Sequence, residues 1–474
     1  MAPAALREDD QVSEDSATVN GDVSWWWRDL GGLPTVRAAL PGSIDVDVAI
    51  VGGGYTGLWT AYYLKKAQPD LRVAVLEQRF AGFGASGRNG GWLTNSVTGG
   101  RATYVATHGR DAAIAQQRAL NDAVDEVIAV TSREGIDADI IKGGEFEVAR
   151  TPAQLARLQT SAAGEQTWPH TDVELLDAAG AAERIAVDGA LGATWHPHCA
   201  RVHPAKLVSG LASAVERLGV AIYENTRVSA IAPGRAITDR GTVRATHVLR
   251  ATEGFTPDLK GEHRTWLPMN SSMIATAPLP ASAWNAIGWD GRETLGDFAH
   301  VYMYAQRTAD DRIAFGGRGV PYRYGSRVDT DGTTQQRTIA SLTALLHSFF
   351  PIAADVPIDH AWAGVLGVPR DWAASVGLNH TTGLGWAGGY VGTGVTATNL
   401  AGRTLADLVL GHDTELVRLP WVDHRAKLWE AEPLRWLAVN AIYTAYHAAD
   451  RAESRTSSTR TAWPANVAAW VAGR

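Results

Sequence analysis

The 474-residue sequence contains a single cysteine, Cys199, and no apolar run long enough to cross a membrane. One cysteine cannot form an internal disulfide, and alone it cannot supply a thiolate zinc cage. A membrane helix needs about 18 consecutive apolar residues. The polar N-terminal stretch also lacks the apolar core of a secretory signal. We therefore expect a cytoplasmic protein that makes no membrane contact.

The sequence also lacks an excess of positive charge, because its formal net charge is −7. Nucleic acid is excluded as the main partner, since phosphate binding needs a basic face. What is abundant is glycine, with 49 residues, and tryptophan, with 18 residues. The glycines indicate tight turns or close approaches of backbone to a ligand. The tryptophans indicate large flat contact surfaces, most of them in the core.

The N-terminal region divides into two parts. Residues 1 to about 24 are polar and are predicted to be disordered. Three consecutive tryptophans, Trp25–Trp27, then follow. Because three adjacent side chains cannot all face one side of a regular element, we expect an arm pinned to the domain surface. A lid over a substrate entrance is the alternative.

A glycine-rich motif, Gly52-x-Gly54-x-x-Gly57, follows a predicted strand at 45–51 and precedes a predicted helix at 58–67. A second predicted strand, 71–76, ends at Glu77. Glycines here permit a tight turn, close approach to a pyrophosphate and close packing of the helix, whose N–H groups face the phosphates. Glu77 would accept hydrogen bonds from ribose hydroxyls and disfavours the 2′-phosphate of NADP. The motif predicts a dinucleotide site and leaves FAD and NAD open.

Three further blocks narrow the choice of dinucleotide. They are the glycine-rich run from Arg79 to Trp92, the run Ala251-Thr-Glu-Gly-Phe255 and the run Gly388-Gly-Tyr-Val-Gly-Thr-Gly-Val395. Together and in this order they resemble the D-amino-acid oxidase family of FAD-dependent oxidoreductases. The resemblance is to its glycine oxidase, sarcosine oxidase and γ-glutamylputrescine oxidase branches. It implies an α/β fold in which a Rossmann-like FAD-binding domain is interleaved with an antiparallel-sheet (α+β) substrate domain.

The resemblance also implies domain boundaries and cofactor contacts. The predicted parts are an N-terminal extension (1–43), a discontinuous FAD-binding domain (44–110, 200–263 and 361–412), a substrate-binding domain (111–199 and 264–360) and a helical C-terminal segment (413–474). The predicted cofactor-binding residues are Gly52, Gly54, Tyr55, Thr56, Gly57, Glu77, Gln78, Arg79, Gly84, Ala85, Ser86, Arg88, Asn89, Gly90, Gly91, Trp92, Val228, Ala251, Thr252, Glu253, Gly254, Gly389, Tyr390, Gly392, Thr393, Gly394, Val395 and Thr396.

The C-terminal glycine block is expected to act on the flavin electrostatically. It precedes a predicted helix at 396–410. A helix N-terminus carries unpaired N–H groups and a partial positive charge. Aimed at the pyrimidine end of a flavin, it would stabilise the negative charge formed on reduction. An ordinary strand–helix turn is the alternative.

FAD is expected to be bound non-covalently. Family branches with covalent FAD attach it through Cys or His, whereas the flavin loop here has no His and Cys199 lies outside the three blocks. The spacing of four residues around Cys199 suggests a metal site only weakly. They are His196, His198, Cys199 and His203. The sequence predicts no metal.

The resemblance implies that the substrate is held by groups from the sheet of the second domain, on the predicted strands 301–304 and 312–318. Tyr302 and Tyr304 are expected to share one strand face. Arg318, after two glycines, could hold a carboxylate or phosphonate bidentately, with a structural salt bridge as the alternative. Trp92 could shape the pocket. Sarcosine-type relatives place a basic residue after the C-terminal glycines and an oxygen-activating Lys near Ala314, and both are missing here.

The predicted function is oxidation of the C–N bond of a primary or secondary amine, with hydride transfer to FAD, hydrolysis of the imine and reoxidation by O₂. An amino acid, a polyamine derivative and an aminophosphonate stay open as the substrate. Since the cofactor carries the chemistry, no strong acid–base residue is required, and we identify none. The alternatives are a dehydrogenase with another electron acceptor, a flavin monooxygenase, for which a second nucleotide motif is missing, and a non-redox flavin-binding scaffold.

Overall fold

The computed structural model describes residues 18–328 and 331–472, which fold around two large β-sheets. The strands are β1 (Val19–Asn20), β2 (Ile44–Val51), β3 (Val73–Leu76), β4 (Trp92–Thr94), β5 (Glu145–Ala149), β6 (Glu174–Asp177), β7 (Gly192–His196), β8 (Cys199–Arg201), β9 (Ala221–Tyr223), β10 (Val228–Ala232), β11 (Arg235–Thr238), β12 (Thr242–Arg250), β13 (Leu267–Thr276), β14 (Thr294–Asp297), β15 (Tyr304–Arg307), β16 (Ile313–Gly317), β17 (Ile358–Val368), β18 (Ser375–Asn379) and β19 (Leu384–Gly388).

The helices flank these sheets or follow them in the chain. They are α1 (Trp25–Asp29), α2 (Tyr55–Ala67), α3 (Arg101–His108), α4 (Arg110–Glu134), α5 (Pro152–Glu165), α6 (Ala178–Arg184), α7 (Pro204–Arg217), α8 (Ala281–Ile287), α9 (Gln336–Phe349), α10 (Gly394–Leu410), α11 (Leu434–Glu453) and α12 (Trp463–Ala472). Among the described residues, no helix is long and apolar enough to cross a membrane.

The first sheet has a parallel core in the order β19-β12-β2-β3-β9. Its strands are apolar almost throughout at their centres, as in Val48–Val51 and Val73–Leu76. Parallel strands covered on both faces need such sequences. Helices α2, α7 and α10 supply buried side chains beside this sheet. The arrangement is the Rossmann-like unit predicted from the sequence.

The second sheet has nine strands in the order β1-β17-β13-β16-β15-β14-β5-β7-β6. Most pairs are antiparallel, while β1 with β17 and β14 with β5 are parallel. One face packs on its own core of Phe146, Val148, Ile313 and Phe315. The opposite face of β16, at Ala314, joins the core of the first sheet. The predicted fold class is confirmed, and this contact lets one site draw on both sheets.

The domain boundaries stay a prediction, with one exception. Strand β17 runs from Ile358 to Val368 without a break and so passes through the boundary predicted at residue 361. The predicted helices of the C-terminal segment are α11 and α12. Between Leu419 and Pro433 the chain is not helical. This segment packs against the rest of the protein, with the side chains of Trp421 and Trp429 buried.

The N-terminal predictions need correction. Residues 1–17 lie outside the described residues, so the disorder predicted there is untested. Val19–Asn20 is not disordered, since it pairs with β17. The three tryptophans are neither a surface arm nor a lid: they form α1, and all three are buried. They can be buried together because other parts of the chain pack around the helix. Trp27 packs on Phe80, and Trp26 packs on His203 and Trp362.

Candidate active site

One cavity of about 610 Å³ is lined by residues from both sheets. Its volume falls within the range of about 300–1,000 Å³ that is usual for ligand sites. All predicted site residues line it except Gly57, Gly91, Gly389 and Thr396. The cavity has two walls of different construction, one built largely from loops of the first sheet and one from side chains of the second.

The glycine motif forms the tight turn that a dinucleotide requires. Gly52 has φ of +113°, and a Cβ there would lie 2.4 Å from the carbonyl oxygen of Ala251. A Cβ on Gly57 would lie 2.1 Å from the carbonyl oxygen of Gly52. Only glycines allow α2 to start at Tyr55, directly above the end of β2. The N-terminus of α2 thereby lines the cavity, with N–H groups suited to phosphate.

Glu77 lies at the end of β3, on the wall of the same cavity. Its carboxylate accepts hydrogen bonds from the backbone N–H groups of Gly53, at 2.8 Å, and Arg79, at 2.9 Å. Burial raises the pKa of Glu77, and these N–H groups oppose that effect. The side chain is therefore held in place beside the motif, where it can accept ribose hydroxyls.

The loop from Gly84 to Trp92 is held from outside the cavity by donors to three consecutive carbonyls. Ser24 Oγ donates to the carbonyl of Gly87 at 2.7 Å. The indole of Trp362 donates to the carbonyl of Arg88 at 2.8 Å, and that of Trp26 to Asn89 at 2.9 Å. Helix α1 and strand β17 therefore fix the loop that is predicted to follow the FAD pyrophosphate and flavin edge.

The C-terminal glycine block is fixed by Glu253. Its carboxylate accepts the N–H groups of Gly389 at 2.8 Å, Gly367 at 3.1 Å and Tyr390 at 3.3 Å. Burial raises the pKa of Glu253 to about 7 in spite of these bonds. Helix α10 begins at Gly394, two residues earlier than predicted, so that Gly392–Val395 and the helix N-terminus line the cavity.

The lining of the cavity fits FAD. The turn at Gly52 brings the N-terminus of α2 to the cavity wall, where its N–H groups suit a pyrophosphate, and Glu77 lies on the same wall. Gly392 also lines the cavity, and a Cβ there would meet nothing within 4 Å. Within the described ranges no His or Cys lines the cavity. Cys199 is buried elsewhere, with its sulfur 3.3 Å from the Thr294 hydroxyl.

The prediction for the two tyrosines is wrong in one respect. Strand β15 begins at Tyr304, so Tyr302 lies in the preceding loop and does not share a strand face with it. That loop is held by Asp450 of α11, whose carboxylate accepts the N–H groups of His300 and Val301. Both tyrosines still line the cavity. Arg318 likewise follows β16 rather than ending it.

Tyr304 lies at the centre of the second wall. A Cβ on Gly316 would lie 2.3 Å from its ring, so the glycine makes room for the tyrosine. Its hydroxyl is 2.9 Å from Ser271 Oγ. Burial raises the pKa of Tyr304, which keeps the hydroxyl neutral and able to donate. Trp92 meets the Tyr304 ring edge-on at 6.4 Å and donates its indole N–H to the carbonyl of Ala305.

Arg318 carries a positive charge with no acid beside it. Its Nη2 donates to the Tyr302 hydroxyl at 3.2 Å, and its Nη1 is buried without a partner. Among the described residues, no carboxylate pairs with this guanidinium. The structural salt bridge considered from the sequence is therefore not formed. A buried guanidinium facing a cavity is suited to bind a carboxylate or phosphonate.

Three acids not predicted from the sequence also line the cavity, on the other side of Tyr304 from Arg318. They are Glu145, Glu147 and Asp297. Burial raises the pKa of Asp297 to about 7 and that of Glu147 to about 8. A signal was present in the sequence. In the run Glu145-Phe-Glu-Val148, alternation would place two acids on one face of a strand and two apolar residues on the other.

Comparison with known proteins assigns the family. Residues 47–408 match the DAO family model, described as FAD dependent oxidoreductase. The chain belongs to this family. It is 32% identical to gamma-glutamylputrescine oxidoreductase of Escherichia coli (strain K12) over 78% of this chain and 84% of that protein. It is 25% identical to glycine oxidase of Geobacillus kaustophilus (strain HTA426) over 79% and 96%.

The fold agrees with this assignment. The crystal structure of glycine oxidase from Geobacillus kaustophilus superposes with a TM-score of 0.66 at 22% identity, covering 80% of this chain and 99% of that one. The chain is thus an FAD-dependent oxidoreductase related to amine and amino acid oxidases. The cofactor predicted from the three sequence blocks is confirmed.

Proposed function

We propose that this enzyme oxidises the C–N bond of a primary or secondary amine that carries an anionic group. The observation that carries the proposal is Arg318 on the wall of the FAD cavity, whose guanidinium has no carboxylate partner and whose Nη1 is buried without any hydrogen bond among the described residues. An amino acid, an acidic derivative of a polyamine, or an aminophosphonate would supply the missing anion. The relatives named as gamma-glutamylputrescine oxidoreductase and glycine oxidase support the amine class.

The chain's residues would divide the work between them. Arg318 and the Tyr302 hydroxyl bind the anion, while the Tyr304 hydroxyl and Trp92 position the reacting end of the substrate. The glycine motif, Glu77 and the loop at 84–92 hold FAD non-covalently, and the N-terminus of α10 offers positive charge to it. When bound, FAD supplies the acceptor for the substrate hydride. The resulting imine leaves the substrate site and hydrolyses.

A dehydrogenase that passes its electrons to an acceptor other than O₂ is the second candidate. Ala314 lies on β16, two residues before Gly316, and side chains in that register share one face. It packs within the core of the first sheet and has no charge to offer. A lysine at this position is what the resemblance to sarcosine oxidases would require for fast O₂ use.

The test uses purified holoenzyme and a panel of amines with and without a carboxylate or phosphonate group. The proposal predicts that anionic amines bleach the flavin anaerobically and yield one carbonyl product per flavin. Peroxide formed in air then identifies an oxidase, and bleaching without peroxide identifies a dehydrogenase. A flavin that stays oxidised with every amine would refute the amine function. The cytoplasmic location stays a prediction.

A further inference from the structure

Glu147 lies in the same row of the second sheet as Tyr304. The strand register pairs Glu147 with Gly296, Gly296 with Tyr304, and Tyr304 with Gly316. Residues directly opposite on neighbouring strands share a face. Strands are about 4.8 Å apart, so the backbone of Glu147 lies two strands, or roughly 10 Å, from that of Tyr304. Both side chains line the FAD cavity.

The glycine between them opens the space in front of Glu147. A Cβ on Gly296 would lie 3.2 Å from the tip of the Trp92 ring and 3.5 Å from Cγ of Glu147. With no side chain at 296, Trp92 and Glu147 approach one another. Trp92 ends the glycine-rich run at 79–92, so Glu147 and the end of that run flank Gly296 on the cavity wall.

The carboxylate of Glu147 makes no hydrogen bond and no ion pair with any described residue. Its neighbours on the sheet are different in this respect. Glu145 accepts the Thr94 hydroxyl at 2.6 Å, and Asp297 accepts the N–H of Met303 at 3.0 Å. Glu147 is half-buried, lines the cavity and has no partner among the described residues, so its carboxyl is open to a molecule bound there.

The charged groups around Glu147 leave it without a cation. Glu145 on the same strand, Asp297 on β14 and Glu165 on α5 all act on it as like charges.

The cations on the neighbouring elements are bound to other groups. On α5, Arg157 is bound to Glu453 and to the carbonyl of Phe298, each at 2.8 Å. On β7, His196 lies 3.7 Å from Glu145, and burial lowers its pKa. On α11, Glu453 also pairs with His300, and Asp450 binds two backbone N–H groups.

These surroundings suit the carboxyl for exchanging protons near neutral pH. Burial and the like charges raise the pKa of Glu147 to about 8 from an ordinary 4.5. An alkyl amine, whose pKa is about 10 as in lysine, enters the cavity as an ammonium ion without a free lone pair. It must lose a proton before its C–H bond can be oxidised. A base with a pKa near the working pH is the most effective acceptor.

We propose that Glu147 is the catalytic base that takes the proton from the substrate ammonium group. One N–H bond of the ammonium breaks, one O–H bond forms on the Glu147 carboxylate, and the electron pair stays on nitrogen. The C–H electrons then pass to the FAD in the family's ordinary redox reaction. The inference rests on the amine function proposed above, and it adds an acid–base residue where the sequence offered none.

The experiment measures the rate of anaerobic flavin reduction by a reactive anionic amine between pH 6 and 10, as a rough range around the expected transition. In the wild-type holoenzyme the rate is expected to rise through pH about 8. Glu147→Gln should slow reduction by about 10²- to 10⁴-fold and remove this transition, leaving only the titration of the amine. Glu147→Asp should restore part of the rate.

A second variant separates catalysis from folding. Glu145→Gln removes one like charge beside Glu147 and should move the transition to lower pH, whatever its effect on the plateau rate. If Glu147→Gln fails to retain flavin, this shift still decides the question. Glu183→Gln, an exposed carboxyl change on α6, is the matched control and should alter neither the rate nor the transition.

The outcomes separate this inference from the proposed function. If wild-type flavin is bleached by amines but Glu147→Gln keeps the wild-type rate and transition, Glu147 is not the base and the amine function stands. A transition that does not move in Glu145→Gln would also overturn the inference. If no amine bleaches the wild-type flavin, the proposed function and the inference are both refuted.

Discussion

Glu253 and Glu147 are both half-buried carboxyls on the wall of one cavity, yet their surroundings differ in kind. Glu253 accepts three backbone N–H groups and ties the C-terminal glycine block to β17, and burial raises its pKa to about 7. Glu147 accepts none from the described residues, faces other acids, and has a pKa raised to about 8. The carboxylate of Glu253 is occupied by structural hydrogen bonds, whereas that of Glu147 is the one we propose as the catalytic base.

The same contrast holds for the two walls as a whole. The cofactor wall comprises the glycine motif, Glu77, the loop at 84–92 and the N-terminus of α10, and it is built largely from backbone. Ser24, Trp26 and Trp362 fix its loop from outside the cavity. The substrate wall presents Arg318 and Glu147 with unused bonding capacity at opposite sides of Tyr304. We therefore assign the proposed specificity for an anionic substrate to the second wall.

The largest effect is expected from Gly57→Ala on the cofactor wall. The added Cβ would lie 2.1 Å from the Gly52 carbonyl, so α2 must move away from β2. We expect FAD binding to weaken by about 3 kcal/mol, or over 100-fold, as measured by titration of apoprotein with FAD. Gly164→Ala in α5, where a Cβ meets nothing within 4 Å, is the matched control. Normal affinity in Gly57→Ala would show that the close approach is dispensable.

Arg318→Met should affect the other wall alone. Loss of a charged hydrogen-bond donor costs about 1.5–3 kcal/mol, so kcat/KM for anionic amines should fall roughly 10- to 150-fold. Flavin content and kcat/KM for amines without an anion should change little. Arg337→Met on exposed α9 provides the control for loss of a positive charge. An equal loss for anionic and neutral amines would contradict the anion-binding role.

Glu147→Gln should also change the stability of the fold, in a direction that depends on pH. The folded protein holds the Glu147 proton up to a pH of about 8, whereas the unfolded chain releases it near 4.5. The wild-type free energy of unfolding therefore falls as the pH rises through this window. The variant avoids that loss, so urea unfolding should show it nearly as stable as wild type at pH 4 and more stable than wild type at pH 9. A constant difference at both pH values would argue against a buried, titrating carboxyl.

The smallest effect is expected from Trp26→Phe. The change keeps an aromatic ring but removes the indole N–H that binds the carbonyl of Asn89. One hydrogen bond contributes about 1 kcal/mol, so FAD affinity should fall only about 5-fold, and KM for the amine should not change. A large effect on KM instead would show that α1 acts on the substrate wall rather than on the flavin loop.

The cofactor wall could be predicted from the sequence because its determinants are local. The motif Gly52–Gly57, the acid Glu77 and the two later glycine blocks each occupy a few consecutive residues, and every one depends on a steric or hydrogen-bonding need of its own turn. The Rossmann-like order of strands follows from the same local pattern. The resemblance to the family added the interleaved second sheet.

The substrate wall could be predicted only in part, because it depends on strand register. Glu147, Gly296, Tyr304 and Gly316 form one row only after four strands pair in a particular alignment, which no single segment specifies. The strand boundary at Tyr304 was wrong for the same reason, since α11 holds the loop before it from 150 residues away. Burial of Trp25–Trp27 likewise depends on a notch formed by distant residues.

The most direct test of the account compares one amine with its hydroxy analogue. Purified holoenzyme is mixed anaerobically with an anionic amine, and separately with the same molecule in which the amino group is replaced by a hydroxyl. The account predicts that the amine bleaches the flavin and that the hydroxy analogue leaves it oxidised. Bleaching by the hydroxy analogue and not by the amine would contradict the proposed function and leave Glu147 without an ammonium to deprotonate.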